Sequence, residues 1–321
     1  MPRPPRYNPH KSSRRRLWIY LAVIAFVVVD VLLIGWALSA RSADPVSEPP
    51  QPIPTFTPSE PEATSTSGAA ATIAIPSARL LSALDVNTAW RATTGECPTA
   101  SATPELSTDA GATWQSTDAT SDVQVTALQK LNVVSDTLVE LVGLSAADCA
   151  PQFVKSFVAG NDYSDYAAQL EDQWYVNPAE RSVVHTPAGD AAAPCAAVVA
   201  LAPRTDAPGS GAILCSDTQV FVTEDSGDTW TGPTKVPGAV NLAVTQVGYL
   251  IAAVGLPECA GVQLAALSVE AMAATPTGCL PVGASAETMQ GKVAVSEAAG
   301  AIWVWVGESV TRSIDKGQSW Q

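Results

Sequence analysis

The chain has 321 residues, 47% of them hydrophobic and 15% charged, with a formal net charge of −14. That average conceals a split: residues 1–41 carry seven basic residues and one acid, whereas the residues beyond hold 10 basic against 30 acidic, a net of −20. So acidic a body repels phosphate backbones, which excludes nucleic acid as a partner, and the apolar content is too high for a disordered chain.

Residues 1–16 form a basic tail ending in Arg14, Arg15 and Arg16. Residues 17–38, LWIYLAVIAFVVVDVLLIGWAL, contain one charge, Asp30. As a helix at about 1.5 Å per residue they cross a hydrocarbon layer about 30 Å thick. Trp18, Tyr20 and Trp36 sit near the two ends, where amphipathic rings favour the headgroup zone. The arginine cluster keeps its side cytoplasmic, so a single-pass plasma-membrane anchor with the N-terminus inside and the C-terminus outside is expected. A cleaved signal peptide is the competing reading, but the apolar run exceeds the usual length of about 7–15 residues. Residues 39–72 are rich in Pro, Ser and Thr and offer almost nothing to bury, the composition of a disordered, semi-extended stalk. The extracytoplasmic domain is then 73–321.

Six cysteines, Cys97, Cys149, Cys195, Cys215, Cys259 and Cys279, all lie beyond the span. An even set outside the membrane reads as three disulfides, of which fifteen pairings exist. Two separations of 20 residues suit neighbouring antiparallel strands, giving Cys195–Cys215 and Cys259–Cys279, with Cys97–Cys149 by elimination. There is no CxxC pair, and His185 is the one histidine outside the tail, so neither zinc nor another cofactor is expected.

Three octets repeat: STDAGATW (107–114), TEDSGDTW (223–230) and SIDKGQSW (313–320). Each reads as a tight turn between strands. Asp109, Asp225 and Asp315 can accept bonds from turn amides, Gly111, Gly227 and Gly317 supply positive φ, and Trp114, Trp230 and Trp320 start the outgoing strand. On these motifs the chain resembles the Asp-box, or BNR, repeat β-propellers, the superfamily of sialidases, sortilin-type receptors and Ycf48-like assembly factors. The resemblance implies an all-β propeller in which the boxes are structural hairpins away from the ligand-binding face. Alanine-rich composition with arginine above lysine points to a bacterial source.

The octets lie 116 and 90 residues apart, about two blades per interval at about 40–50 residues each. Strand-like runs at 123–133, 137–145, 151–158, 197–203, 219–223, 240–254, 262–268 and 301–307 give five blades, 80–117, 123–190, 195–233, 238–281 and 286–321, with six as the alternative. Residues 159–180 interrupt the rhythm. There Ser164 is expected to cap a helical turn, and Tyr163, Tyr166, Trp174 and Tyr175 form a candidate ligand platform or merely pack the insertion. After Asp315 little chain remains for a fourth strand, so 72–79 is expected to pair with 309–314 and close the ring.

No G-x-S-x-G turn is present, and His185 sits in a strand pattern, so no serine-hydrolase machinery is expected. Sialidase chemistry, as the resemblance implies, needs an arginine cluster and a Tyr–Glu pair. Here the only outer arginines are Arg79, Arg91, Arg181, Arg204 and Arg312, and Arg79 follows an Ile-Pro instead of preceding it. The expectation is a membrane-anchored, non-catalytic binding or assembly module for a protein, peptide or glycan. A cell-surface sialidase-like or other propeller glycoside hydrolase is the alternative.

Overall fold

A computed structural model describes residues 74–321. The expected span 17–38 and stalk 39–72 lie outside the described residues, and among these no helix is long and apolar enough to cross a membrane. The described chain folds into six antiparallel sheets, each built from consecutive strands. Blade 1 is β1 (Arg79–Ala83), β2 (Ala89–Thr93), β3 (Glu105–Ser107) and β4 (Gln115–Ser116). After the short helix α1 (Ala119–Val123), blade 2 is β5 (Val125–Val133), β6 (Val139–Ser145), β7 (Pro151–Ser156) and β8 (Ser164–Asp165). Blade 3 has only β9 (Tyr175–Val176), β10 (Val183–Thr186) and β11 (Gly189–Ala192). Blade 4 is β12 (Val198–Pro203), β13 (Gly211–Cys215), β14 (Gln219–Thr223) and β15 (Thr231–Lys235), and blade 5 is β16 (Ala239–Val244), β17 (Tyr249–Val254), β18 (Gly261–Ser268) and β19 (Ala273–Pro281). The helix α2 (Ala286–Met289) leads into blade 6, β20 (Val293–Ala298), β21 (Ala301–Val306) and β22 (Ser309–Ser313).

The strands β1, β5, β9, β12, β16 and β20 neighbour one another in a closed circle, β20 lying beside β1. This is a six-bladed β-propeller. The blade count corrects the favoured five: the expected blade 123–190 is two sheets, because β9, β10 and β11 are only two to four residues long and leave little periodicity to detect. In a meander the turns between strands one and two and between three and four share one end of the blade, called here the octet end. Blade 3 departs from the pattern. Trp174, just before β9, donates its indole N–H to Pro208 O (2.9 Å), on the octet-end turn of blade 4, whereas Arg181, just after β9, meets Val198 at the start of β12. The short strand β9 therefore runs opposite to the other inner strands. It is the innermost strand of a three-stranded blade, and the chain before it, through the 3-10 turn Ala167–Gln169, packs on β7 of blade 2.

The expected closure by 72–79 is not found. Ala74 N bonds Ser216 O and Ala78 N bonds Gly291 O, both at 2.8 Å, so the described part of this segment crosses the end opposite the octets and does not touch β22. Only Gln321 continues blade 6, exchanging backbone bonds with Arg312 at 2.9 and 3.0 Å. Side chains close the ring instead. Trp303 Nε1 donates to Asp85 O (2.9 Å), Arg312 to Val86 O (2.7 Å), Arg79 to Lys292 O (2.8 Å) and Ala83 N to Ser296 Oγ (2.9 Å). Arg79 and Arg91 both stack over Trp305, at 4.7 and 5.1 Å, and Arg91 over Trp114 at 4.3 Å. Such hydrogen bonds and cation–π stacks tie the first and last blades together without a shared strand.

Disulfides link Cys97 to Cys149, Cys195 to Cys215 and Cys259 to Cys279, the pairing read from the spacing. They leave no free cysteine.

Candidate functional site

The three octets have the same internal geometry. In the first, Asp109 Oδ1 accepts from Thr113 N (2.9 Å) and Ser107 Oγ (2.8 Å), Oδ2 accepts from Thr113 Oγ (2.6 Å), and Gly111 N donates to Ser107 Oγ (2.9 Å). Asp225 and Asp315 repeat this pattern with Thr223, Thr229, Ser313 and Ser319. The glycines Gly111, Gly227 and Gly317 share φ of 86°, a region other residues resist. The hydrogen bonds, first those from the Thr113 or Ser319 side chain, hold Asp109 and Asp315 down to about 2 and depress Asp225 likewise. Trp230 and Trp320 donate across to the preceding blades, at Ala192 O (3.1 Å) and Cys279 O (2.9 Å). Each of these carboxylates accepts at least three hydrogen bonds from its own turn.

The central channel, about 900 Å³, is lined by inner-strand residues of five blades and by 172–176 and Arg181 of blade 3. Its walls are not equivalent. Apolar clusters fill the seams between blades 1 and 2, 3 and 4, 4 and 5, 5 and 6, and 6 and 1. Among the described residues no such cluster fills the seam between blades 2 and 3, where blade 3 has three strands instead of four. Strand alternation turns Lys130, Asn132, Glu140 and Lys155 onto that face of blade 2, with Val142 and Phe153 in register between them. Lys130 Nζ donates to Gln173 Oε1 across the seam (3.1 Å). Glu140 pairs with Lys155 (2.9 Å) and accepts from Asn132 (3.1 Å). Burial lowers the Lys130 ammonium to about 8, Glu140 pulling it up and Lys155 down. The arrangement is a polar slot opening into the channel, with one ammonium held by a neutral amide.

The four aromatics proposed as a platform are dispersed. Tyr163 is buried between blades 1 and 2 and shares a hydrogen bond with Thr117 (2.8 Å). Trp174 is buried against blade 4, and Tyr175 lines the channel stacked on His185, 4.6 Å between centroids. Tyr166 lies on the octet side of blade 2, 6.0 Å from Phe157. The expected cap at Ser164 is absent: Ser164 belongs to β8, and the 3-10 turn Ala167–Gln169 has no side-chain cap. His185 Nδ1 meets Asp190 at 2.7 Å on the outer strands, a structural pair. Sequence reading missed Lys130 and Gln173, since a single lysine in a strand carries no signal until the neighbouring blade is known to have three strands.

The arginines are all engaged in the fold. Besides Arg79, Arg91 and Arg312 at the ring closure, Arg181 donates to Val198 O (2.9 Å), and Arg204 pairs with Asp206 (2.8 Å) and reaches the carbonyls of 245–248. The described residues contain no cluster of His, Cys, Asp and Glu able to hold a metal.

No protein-family description and no curated protein matches the chain. Solved structures do. A GH74 xyloglucanase from Xanthomonas campestris is 15% identical with a TM-score of 0.32, over 75% of this chain and 37% of that one. YCF48 bound to a D1 peptide is 15% identical, TM-score 0.28, over 78% and 68%. PorZ, a surface component of the type-IX secretion system of Porphyromonas gingivalis, is 9% identical, TM-score 0.38, over 78% and 38%. The chain thus spans little more than a third of the xyloglucanase and of PorZ. The blade count and the slot stand on the chain's own geometry.

Proposed function

We propose that this protein is a membrane-anchored, extracytoplasmic binding or assembly module for a protein, peptide or glycan ligand, without chemistry of its own, and that its octets are Asp-boxes. Residues 17–38 hold it in the plasma membrane with the C-terminus outside, and 39–72 space it from the bilayer. Three disulfides and no free thiol in the described unit suit an oxidising compartment.

The observation that carries the non-catalytic reading is that all five arginines of the described residues are committed to backbone carbonyls, carboxylates or indole faces of the fold. None is left to clamp a substrate carboxylate. Of the channel carboxylates, Glu140 is held by Lys155 and Asn132, Glu297 accepts from Gly300 N (3.0 Å), and Asp172 is exposed. What the channel does offer is Lys130 in the slot of blades 2 and 3, a donor matched to a carboxylate or carbonyl of a ligand.

The purified full chain, presented to arrays of peptides and glycans, is expected to retain one ligand class in a way that Lys130→Met weakens about tenfold or more. Retention insensitive to Lys130→Met would contradict the placement of the ligand, and turnover of any array member would contradict the function.

A further inference from the structure

The turn between β7 and β8 is a fourth copy of the octet, in which the defining carboxylate has given way to exposed apolar surface. Residues 156–163 read SFVAGNDY, keeping the first hydroxyl, the glycine and a terminal aromatic. Gly160 N donates to Ser156 Oγ at 2.8 Å, as the other three glycines do to their hydroxyls at 2.8–2.9 Å. Ala159 and Gly160 have φ of 53° and 81°, the left-handed pair of the other copies. Where those have Asp, this one has Val158, 47% exposed, and beside it Phe157, 53% exposed.

The turn is held by other groups. Asn161 donates its N and Nδ2 to Val158 O (3.2 and 2.9 Å), and Tyr163 N donates to Asp122 of α1 (3.0 Å). The Phe157 and Val158 side chains are therefore free of the folding duty that the octet aspartates perform. They have company. Val134, also 47% exposed, lies on the β5–β6 turn, which is tied to this one by Ala159 N to Thr137 O (2.9 Å). Tyr166 lies 6.0 Å from Phe157. The rim is acidic: Asp136, Asp162 and Asp165 are all exposed, and Lys155, whose Nζ lies 5.6 Å from the Tyr166 ring, is already paired with Glu140.

The geometry points to this ledge on blade 2 as a docking surface for a basic, apolar-anchored segment of another protein. Apolar side chains of the partner cover Val134, Phe157 and Val158, and its lysines or arginines meet the acidic rim. A contiguous apolar patch inside a polar rim is the anatomy of an interface, and the sign of the rim selects the partner's charge. The ledge adjoins the channel, which Val134 also lines, whereas Phe157 and Val158 lie outside that lining, so the substitutions below are placed on those two residues.

The test uses the purified full chain and three designed 14-residue peptides sharing one residue spacing: leucine with lysine, leucine with glutamate, and serine with lysine. Anisotropy titrations are run at low and high salt. The leucine–lysine peptide is expected to bind at least about tenfold more tightly than the other two and to weaken with salt. Phe157→Thr, which installs the residue type of Thr108, and the double variant Val158→Asp with Asp162→Thr, which recreates the Asp–Thr pair of the first two octets, are each expected to lose about tenfold or more. The double variant is expected to melt no lower than the parent, and Val247→Ala, an exposed position on blade 5, to leave this binding unchanged. Equal affinity for the acidic peptide, or indifference to both ledge variants, overturns the inference. So does concentration-dependent self-association, or adsorption to phosphatidylcholine vesicles, that Phe157→Thr abolishes, since the occupant would then be a second copy or the bilayer.

Discussion

Trp303 is the residue on which ring closure most depends. It is fully buried in the middle of β21, packed in a cluster with Ala83, Ala89 and Ala301, and its indole N–H crosses from blade 6 to Asp85 O of blade 1. The small alanines around it cannot fill the space it would vacate. Trp303→Ala removes a large buried ring, costing about 3–5 kcal/mol, and strands a carbonyl for about 1–3 more. Against a total of about 5–15 kcal/mol for a domain, that is enough to unfold much of the population at physiological temperature. Trp303→Phe keeps most of the volume and loses mainly the hydrogen bond, about 2–3 kcal/mol, or a fall of about 5–10 °C in melting temperature for a domain of this size. Calorimetry with the disulfides intact reads both variants beside Val247→Ala, whose side chain is 92% exposed. A Trp303→Phe melt within about 2 °C of the parent, or Trp303→Ala no worse than Val247→Ala, would refute closure by side chains across this seam.

The octet aspartates titrate below their ordinary value, so the unfolded chain binds more protons between about 4 and 2. The stability they supply is present above pH 4 and lost as pH falls toward 2, and urea midpoints of Asp109→Asn, Asp225→Asn, Asp315→Asn combined should show a shallower acid limb than the parent. Lys130 has the opposite sense. Its folded value of about 8 lies below the usual 10.5, so stability rises as pH climbs through that window. Lys130→Met should raise the urea midpoint at pH 7, with a gain that shrinks toward pH 10; a gain constant with pH would place the cause elsewhere. Loop length ranks the disulfides: closing 52 residues constrains the unfolded chain by about 4 kcal/mol and closing 20 by about 3, so Cys97→Ser with Cys149→Ser should lower the melt more than Cys195→Ser with Cys215→Ser.

The octets were legible because turn chemistry is local: hydroxyl, Asp and Gly act within eight residues, and their spacing alone indicates small sheets in series. The disulfide pairs were legible for the same reason, two of them spanning one hairpin. Blade 3 was not, because strands of two to four residues show no periodicity and its sheet has three strands instead of four. The closure by 72–79 was misjudged because β22 was assumed to need a strand partner, whereas Arg79, Arg91, Trp303 and Arg312 act over more than 200 residues of sequence. The aromatic group failed similarly: Tyr163, Trp174 and Tyr175 are close in sequence but belong to three different contacts. Phe157 and Val158 were hidden inside a strand-like run, and only the superposable turn geometry exposes them as an altered octet.

The central claim is that this propeller binds and does not turn over its ligand. The most direct measurement is continuous fluorescence of the purified full chain with a panel of fluorogenic glycosides, sialosides included, beside Glu140→Gln, Asp172→Asn and Glu297→Gln. The account predicts no release above buffer for the parent or any variant. Release by the parent that one of those carboxylate substitutions abolishes would contradict it.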